Sequence, residues 1–469
     1  MSATPTPSPT TDVDRIPRTV ESLRRSFAAG TTRPLAWRRE QLARLAALTR
    51  ENSDAILGAL SRDFGKPAME ALLMDVSIVT AEAEQARKSL AKWTKPEKVA
   101  TPLQLRPGSS RLLREPLGTV LIIAPWNYPV QLLLSPLVGA LAAGNCAVLK
   151  PSELTPHTSA VLADLVPRYL DPACIALVEG GVTETTALLA ERFDHIFYTG
   201  GAQVAHVVMQ AAAKHLTPVT LELGGKSPCI VDASANVEVA ARRIAWGKYL
   251  NAGQTCIAPD YVLVDERRED ELLAKLGAAV TEFYGQDPKQ SPDYARIVNR
   301  RHFDRLSRFL KDGEVAYGGQ TEPESRFIAP TALRRVRADA DVMNEEIFGP
   351  ILPVLPVRDL DKALEFVNER EKPLALYLFS EDAAAKRRVE SETSSGGVCL
   401  NHVIWHVANP NLPFGGIGPS GTGAYHGRYS FETFSHRKAV VEKGTRFDPK
   451  IAYPPFGKWK SAIMRRVLG

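Results

Sequence analysis

The amino-acid sequence predicts an α/β protein built from two sheet-based domains that meet near residues 222–226. Three observations predict it. From residue 118, short runs rich in Val, Ile and Leu alternate with helical patterns, as a parallel sheet covered on both faces requires. The alternation runs to Glu222 and restarts at SPCIVD, residues 227–232. At 469 residues, the chain also exceeds the length at which one core stops growing, ~250–300 residues.

Taken in order, residues 1–14 (MSATPTPSPTTDVD) are rich in Pro, Ser and Thr and read as a disordered arm. Residues 18–64 and 67–95 carry Leu and Ala at helical spacing with charges between them. LQLRPGSSRLLRE, 103–115, reads as a hairpin turning at Pro-Gly-Ser-Ser. GTVLIIAPW is a strand, 131–143 a helix and 146–149 a strand, after which Ser152 is the expected N-cap of a helix reaching about 166. IALVEGG ends a strand in a turn, VTETTALLAERF is helical, and HIFYTGG, AQVAHVVMQAAAKH and PVTLELGG follow as strand, helix and strand. The second series comprises helix 236–249, strand YVLVD, helix 268–283, helices near 295–311 and 361–368, strand ALYLFS and helix 381–392. The apolar run 129–149 approaches the ~20 residues of a membrane span, but Pro136 and Gly144-Asn145 interrupt it, so a buried helix and strand are expected.

Composition excludes several functions. Basic and acidic residues, 58 and 53, nearly balance, and no basic stripe interleaved with aromatics appears, so nucleic-acid binding is not expected. Five cysteines without CxxC spacing argue against a disulfide framework and for a reducing, cytoplasmic setting. The N-terminus has no signal pattern.

Four of the cysteines sit among small or apolar neighbours, whereas Cys256 ends the polar loop NAGQTC. A thiol in such a loop has backbone N–H groups available to stabilise a thiolate or a developing oxyanion; a buried structural thiol is the alternative. Glu222, in TLELGGKSP, stands in an apolar strand. It is either a general base with a raised pKa or one half of a salt bridge to Lys226 or an arginine. Asn127, in APWNYP, is an oxyanion donor or a turn cap. Lys150 and Glu153, in KPSE, hold ribose hydroxyls or start a helix in solvent.

Together these residues fall into a recognisable order. PWNYP (125–129), KPSE (150–153), EGGVTET (179–185), FDHIFYTGG (193–201), LELGGKSP (221–228), GQTCIAPDY (253–261), NEEIFGP (344–350) and PFGGIGPSGTGAYHG (413–427) resemble the aldehyde dehydrogenase family, in its class 3 branch of fatty and aromatic aldehyde dehydrogenases. The resemblance spans about 20–445, and the separation of Glu222 and Cys256, 256 − 222 = 34, is similar too.

The resemblance implies an aldehyde dehydrogenase-like fold: two Rossmann-like α/β domains plus a small β element for bridging and oligomerisation. It places the NAD(P)-binding domain at 15–98 and 117–222, the bridging element at 99–116 and 428–445, the catalytic domain at 223–427 and a tail at 446–469. It implies Cys256 as nucleophile, Asn127 with the Cys256 N–H as oxyanion donors, and Glu222 as the base that hydrolyses the thioester. Trp126, Lys150, Glu153, Gly200, Gly201, Val204, Ala205, Glu346 and Phe348 are the implied contacts of NAD, with NADP also tolerated. Tyr128, His402 and Trp405 are expected near the aldehyde, and a homodimer is expected.

One stretch departs from the family. GGAQVA, 200–205, replaces a GSTxVG pattern, losing hydroxyls and a final glycine; the helix N-terminus should still favour a pyrophosphate. His402 and His406 are four apart, but no third ligand is evident and no metal is expected. The basic tail, with an apolar face at Ile463, Met464, Val467 and Leu468, allows a solvated end, a lid at the substrate entrance or a weak membrane-surface contact. A CoA-acylating dehydrogenase would not need Glu222, and a non-catalytic binding protein of this fold would not keep Cys256, Glu222 and Asn127 together. A cysteine hydrolase would want a His near the thiol.

Overall fold

A computed structural model describes residues 10–448 and 450–468. It divides into a large unit, which contains residues up to Trp93 and Pro116–Ser435, and a small one, Thr94–Glu115 with the chain from His436 onward. The two predicted α/β halves share the large unit, each with its own sheet.

The first sheet runs, edge to edge, Gly421–Thr422, Val219–Glu222, His195–Thr199, Thr119–Ile123, Cys146–Lys150, Ile175–Leu177. All its pairings are parallel except that of Gly421–Thr422 with Val219–Glu222. Thr119–Ile123, Cys146–Lys150 and His195–Thr199 are buried at every residue, which is why they read as continuous apolar runs. The chain builds outward from Thr119–Ile123 and then returns to add His195–Thr199 on its other side. That reversal is a topological switch point, beyond whose strand ends ligands bind in open α/β sheets.

The second sheet is seven-stranded, and three of its strands are Pro228–Val231, Tyr261–Asp265 and Ala375–Phe379. Its other strands, Glu314–Tyr317, Thr331–Arg334, Ile351–Val357 and Gly397–Leu400, lie outside the elements the sequence pattern singled out. The helix Gln131–Ala143 is wholly buried and has the predicted bounds. No helix among the described residues is long and apolar enough to cross a membrane.

Several expectations are corrected. Thr11 of the predicted disordered arm donates its N–H to the Glu179 carbonyl and accepts the Glu179 N–H on its hydroxyl, and Val13–Arg15 is a 3-10 turn capped by Asp12, because these few residues pair with the backbone after Ile175–Leu177; residues 1–9 lie outside the described residues. The hairpin has its first strand at Glu97–Val99 rather than inside 103–115, pairing Glu97 with Leu112 and Val99 with Ser110. Leu103–Leu105 is a 3-10 turn, since Pro102 and Pro107 on either side cannot donate to a ladder. Ser152 caps no helix; its hydroxyl accepts from Leu154 N–H in a turn, and the helix starts at Pro156. Residues 428–435, assigned to the bridging element, lie in the large unit, where Gly427–Thr433 is helical and buries Phe431.

The small unit is a three-stranded sheet of Glu97–Val99, Gly108–Pro116 and Ser435–Lys443, with Glu115 paired to Lys438 and Arg111 to Glu442. Its tail forms the helix Lys458–Leu468, with Trp459 and Ile463 exposed; the side chains of Val467 and Leu468 lie outside the described residues.

Candidate active site

The site begins where Thr119–Ile123 ends. Asn127 is 2% exposed, and its Nδ2 donates to the Gln254 carbonyl at 3.0 Å. Its own carbonyl accepts from Asn251 Nδ2 at 2.9 Å and Lys66 Nζ at 3.2 Å. The next side chain, Tyr128, shares a 2.7 Å hydrogen bond with Thr255 Oγ1. Asn127 and its neighbour are thus tied to the loop that carries Cys256.

That loop is wound unusually. Asn251, Ala252 and Gly253 have φ of 54°, 51° and 75°, a left-handed run that costs on the order of 1 kcal/mol per non-glycine residue. Its polar side chains hold it there. Gln254 Nε2 donates to the carbonyls of Asn251 (2.9 Å) and Arg296 (3.0 Å), and its Oε1 accepts from Val298 N–H at 2.9 Å. Gly253 admits no side chain, because a Cβ would stand 2.2 Å from the Gly349 carbonyl oxygen. The polarity of NAGQTC therefore serves the loop's own backbone, and the loop presents a half-buried thiol.

Asn127, Glu222 and Cys256 line one cleft of about 680 Å³. Trp126, Gly200, Gly201, Val204, Glu346 and Phe348 line it too. Cys256 and Leu132 also line a second, narrow pocket of about 50 Å³, whose walls include Met74, Ile78, Ile404, Val407 and Phe414. The thiol thus stands in the wall between a large cleft and an apolar slot.

Glu222 is 2% exposed, and neither carboxylate oxygen has a hydrogen-bond partner among the described residues. The salt-bridge alternative fails for Lys226, which is taken by Asp260 and by the carbonyls of Val342 and Glu345. Burial pushes the Glu222 carboxyl well above the usual carboxylate range. Burial likewise raises the Cys256 thiol, with Glu346 and Glu222 adding to the effect. Glu346 is itself pushed up to about 8, first by burial and then by Asp260. Its carboxylate lies over Gly224, where a Cβ would come within 2.1 Å of Oε2.

These directions fix a pH dependence. A nucleophilic thiol and a basic carboxylate both act deprotonated, and both are raised, so the active fraction grows as pH rises. Turnover is expected to climb from about pH 6 to about pH 8. A buffer series in which the rate falls over that interval would contradict these roles.

The cleft fits a dinucleotide. The helix Ala202–Ala213 has Gly201 at its N-cap with no side chain capping it, and a Cβ on Gly201 would meet nothing within 4 Å. Backbone N–H groups are thus open at a helix N-terminus, the arrangement that suits a pyrophosphate. Trp126 and Phe348 meet edge to face at 5.4 Å on the cleft wall.

Other expected contacts lie elsewhere. Ala205 does not line the cleft; it is 3% exposed and packs in the core, so its methyl leaves the helix N-terminus clear. Lys150 is buried with Nζ on the Pro151 carbonyl at 2.7 Å, while Glu153 is exposed; both stand outside the cleft lining, beyond the neighbouring strand end. Of the three residues expected near the aldehyde, Tyr128 lines the apolar pocket, and His402 and Trp405 do not. The turn at Ile404, with φ 67°, sends Ile404 and Val407 inward and leaves Trp405 61% exposed, stacked on His402. No metal-ligating cluster occurs among the described residues.

The sequence reading also missed Lys66 and Asp75, Arg301, His302 and Arg305 in or behind the cleft, and the apolar pocket walls. Asp75 carried a legible signal: a lone carboxylate in the apolar run LLMDVS, the pattern that singled out Glu222.

The sequence profile described as "Aldehyde dehydrogenase family" matches residues 6–440. "Aldehyde dehydrogenase, dimeric NADP-preferring" of Rattus norvegicus is 50% identical over 439 residues, covering 93% of this chain and 97% of that protein. "4,4'-diaponeurosporen-aldehyde dehydrogenase" of Staphylococcus aureus is 48% identical over 437 residues, covering 92% and 95%. A solved structure described as the substrate-bound state of Staphylococcus aureus AldH superposes with a TM-score of 0.94 at 46% identity, covering 97% of this chain and 99% of that one.

Proposed function

Because the chain belongs to the aldehyde dehydrogenase family and is an NAD(P)-dependent enzyme that oxidises aldehydes, we propose that Cys256 is its nucleophile, Asn127 its oxyanion donor and Glu222 its hydrolytic base. The observation that carries this reading is the position of Cys256, common to the large cleft and the apolar slot. An aldehyde entering from the apolar side meets the thiol with its carbonyl towards the cleft.

The Cys256 sulfur, once deprotonated, attacks the aldehyde carbon, forming a C–S bond and a tetrahedral oxyanion. The Asn127 amide and the Cys256 N–H hold that oxygen; one Nδ2 hydrogen already binds Gln254, leaving the second for the substrate. The bound dinucleotide supplies the acceptor for the hydride that leaves this carbon. Re-forming the carbonyl gives a thioester on Cys256. Glu222 then takes a proton from water as it attacks the thioester, and the acid leaves with the thiol restored. Trp126, Gly200, Gly201, Val204, Glu346 and Phe348 would hold the dinucleotide, and Lys150 and Glu153, outside that lining, would serve its adenosine end.

The apolar pocket walls support medium- or long-chain aliphatic, or aromatic, aldehydes as substrates. The test is formation of reduced NAD or NADP by purified protein against aliphatic aldehydes of increasing length and benzaldehyde, with and without CoA. Turnover without CoA that improves with chain length or an aromatic ring is expected. Strict CoA dependence would instead establish the acylating alternative.

Three lesser features belong to the same reading. A homodimer is supported by the relative named as dimeric and is checked by sedimentation, a monomer at all concentrations being the contrary result. Five free cysteines, one of them needed as a thiol, support a cytoplasmic setting, which recovery from an oxidising compartment would contradict. Exposed Trp459 and Ile463 beside Lys458, Lys460 and Arg466 support a weak contact with anionic membrane surfaces. The absence of binding to anionic vesicles at low salt would remove it.

A further inference from the structure

Behind the site lies a wholly buried ion pair that the reaction just described does not use. Lys66 Nζ and Asp75 Oδ2 are 2.6 Å apart, and both side chains are 0% exposed. A buried pair is weak evidence for stability, because desolvation offsets much of its attraction. Its placement therefore has to be explained by what it holds.

The Lys66 ammonium is held on three sides. One hydrogen bond goes to Asp75, a second goes to the Asn127 carbonyl at 3.2 Å, and the ammonium sits 3.7 Å from the centre of the Tyr128 ring. Asp75 faces the other way as well: its Oδ1 accepts from the N–H groups of Val130 and Gln131, each at 3.3 Å, where the buried helix Gln131–Ala143 begins. The pair thus grips both sides of the segment 127–131. On the far side, the Asn127 carbonyl takes Asn251 Nδ2, the Asn127 amide donates to Gln254 O, and Tyr128 binds Thr255.

Asp75 reaches Lys66 from an irregular place. Leu72–Ser77 is a π-helical turn inserted in a long helix, a feature often found at functional sites. The same turn carries Met74, and Ile78 follows it; both line the apolar pocket beside Cys256. One element therefore sets the pocket wall and anchors the amide.

We propose that Lys66, locked by Asp75, is a positioning residue that fixes the Asn127 amide at the oxyanion and holds it in register with the Cys256 loop. The proposal rests on the reading of Asn127 as oxyanion donor. Lys66 touches no reacting atom; it acts through the Asn127 carbonyl and the Tyr128 ring. Without it, the 125–129 turn keeps its links to the loop but loses the one that faces the pair, and Asp75 is left buried and unpaired.

The test uses the full chain with four variants: Lys66→Met, Asp75→Asn, the double Lys66→Met/Asp75→Leu, and Asn127→Ala. The readouts are the pre-steady-state rate constant for cofactor reduction, the dissociation constant for NAD, the alkylation rate of Cys256 by iodoacetamide, and the melting temperature. Asn127→Ala is expected to slow cofactor reduction by about 10²–10³-fold, as loss of an oxyanion donor does. Lys66→Met is expected to slow it by about 10- to 100-fold, the scale of a misplaced catalytic group, with NAD binding and Cys256 alkylation within about twofold of the parent. The double variant, which does not leave Asp75 without its counter-charge, is expected to regain melting temperature lost by Lys66→Met while its rate constant stays low.

Two results overturn the proposal while leaving the role of Asn127 intact. One is a double variant whose rate constant recovers together with its melting temperature, which makes the pair purely structural. The other is a Lys66→Met rate constant within twofold of the parent while Asn127→Ala is strongly impaired, which leaves Asn127 in its role and removes Lys66 from it. If Asn127→Ala itself reduces cofactor at the parent rate, the oxyanion reading falls and the proposal falls with it. If Lys66→Met does not fold, Asp75→Asn and the double variant decide by the same comparison.

Discussion

Cys256→Ala is expected to lower aldehyde oxidation by on the order of 10⁴-fold or more in kcat, with NAD affinity unchanged within about twofold. The loss should be large because no other cysteine lines the cleft to replace it. Cys146, Cys174 and Cys229 are buried in the core, and Cys399 lies on the strand Gly397–Leu400. Without the sulfur, the carbon never becomes the tetrahedral oxyanion from which hydride departs. Cofactor affinity should persist because the dinucleotide is read by the rest of the cleft, from Trp126 to Phe348. Titrating NAD into the variant and measuring turnover with a medium-chain aldehyde checks both halves. Retained turnover would remove Cys256 from its role.

Glu222→Gln is expected to separate the two halves of the reaction. Hydride transfer needs the thiolate and the oxyanion donors, whereas hydrolysis needs a base, a contribution of about 10²–10⁴-fold. The variant should therefore give a burst of about one reduced cofactor per active site and then a steady state slowed by about that factor. A normal steady state with no burst would count against Glu222 as the base.

The same substitution has a signed effect on stability. The Glu222 carboxyl is raised in the folded chain, so its buried neutral form costs nothing extra below its unfolded pKa, about 4.3. Above that, the unfolded chain ionises more readily than the folded one, and stability is lost as pH rises towards the folded pKa. Glutamine carries no such loss. The variant should melt above the parent at about pH 8, and the gap should close near pH 4.

What was legible in the sequence follows from where local pattern and tertiary packing agree. The helix Gln131–Ala143 has the predicted bounds because Gly144 ends it and all its residues but Gln131 and Ser135 are apolar, so the whole helix can be buried. Parallel strands such as Thr119–Ile123 were legible as unbroken apolar runs. Glu222 and Cys256 stood out because each contradicts its surroundings, a carboxylate in an apolar strand and a thiol in a polar loop. The strands Glu314–Tyr317 and Thr331–Arg334 were not legible: Glu314–Tyr317 is exposed and short, and strand character there comes from its partner. Nor could spacing reveal that Ile404, rather than His402 or Trp405, turns into the pocket, since a left-handed residue breaks any periodicity. The Lys66–Asp75 pair joins residues nine apart in sequence across a π-turn, which shifts the helical register that a pattern reading assumes.

The most direct test of the proposed chemistry is to mix Glu222→Gln protein with NAD and nonanal, quench the mixture within the burst and map the adduct by peptide mass spectrometry. One nonanoyl group per chain is expected, confined to the peptide containing Cys256. Reduced cofactor formed without any acyl group on Cys256, or an acyl group carried on another residue, would contradict the covalent route through this thiol.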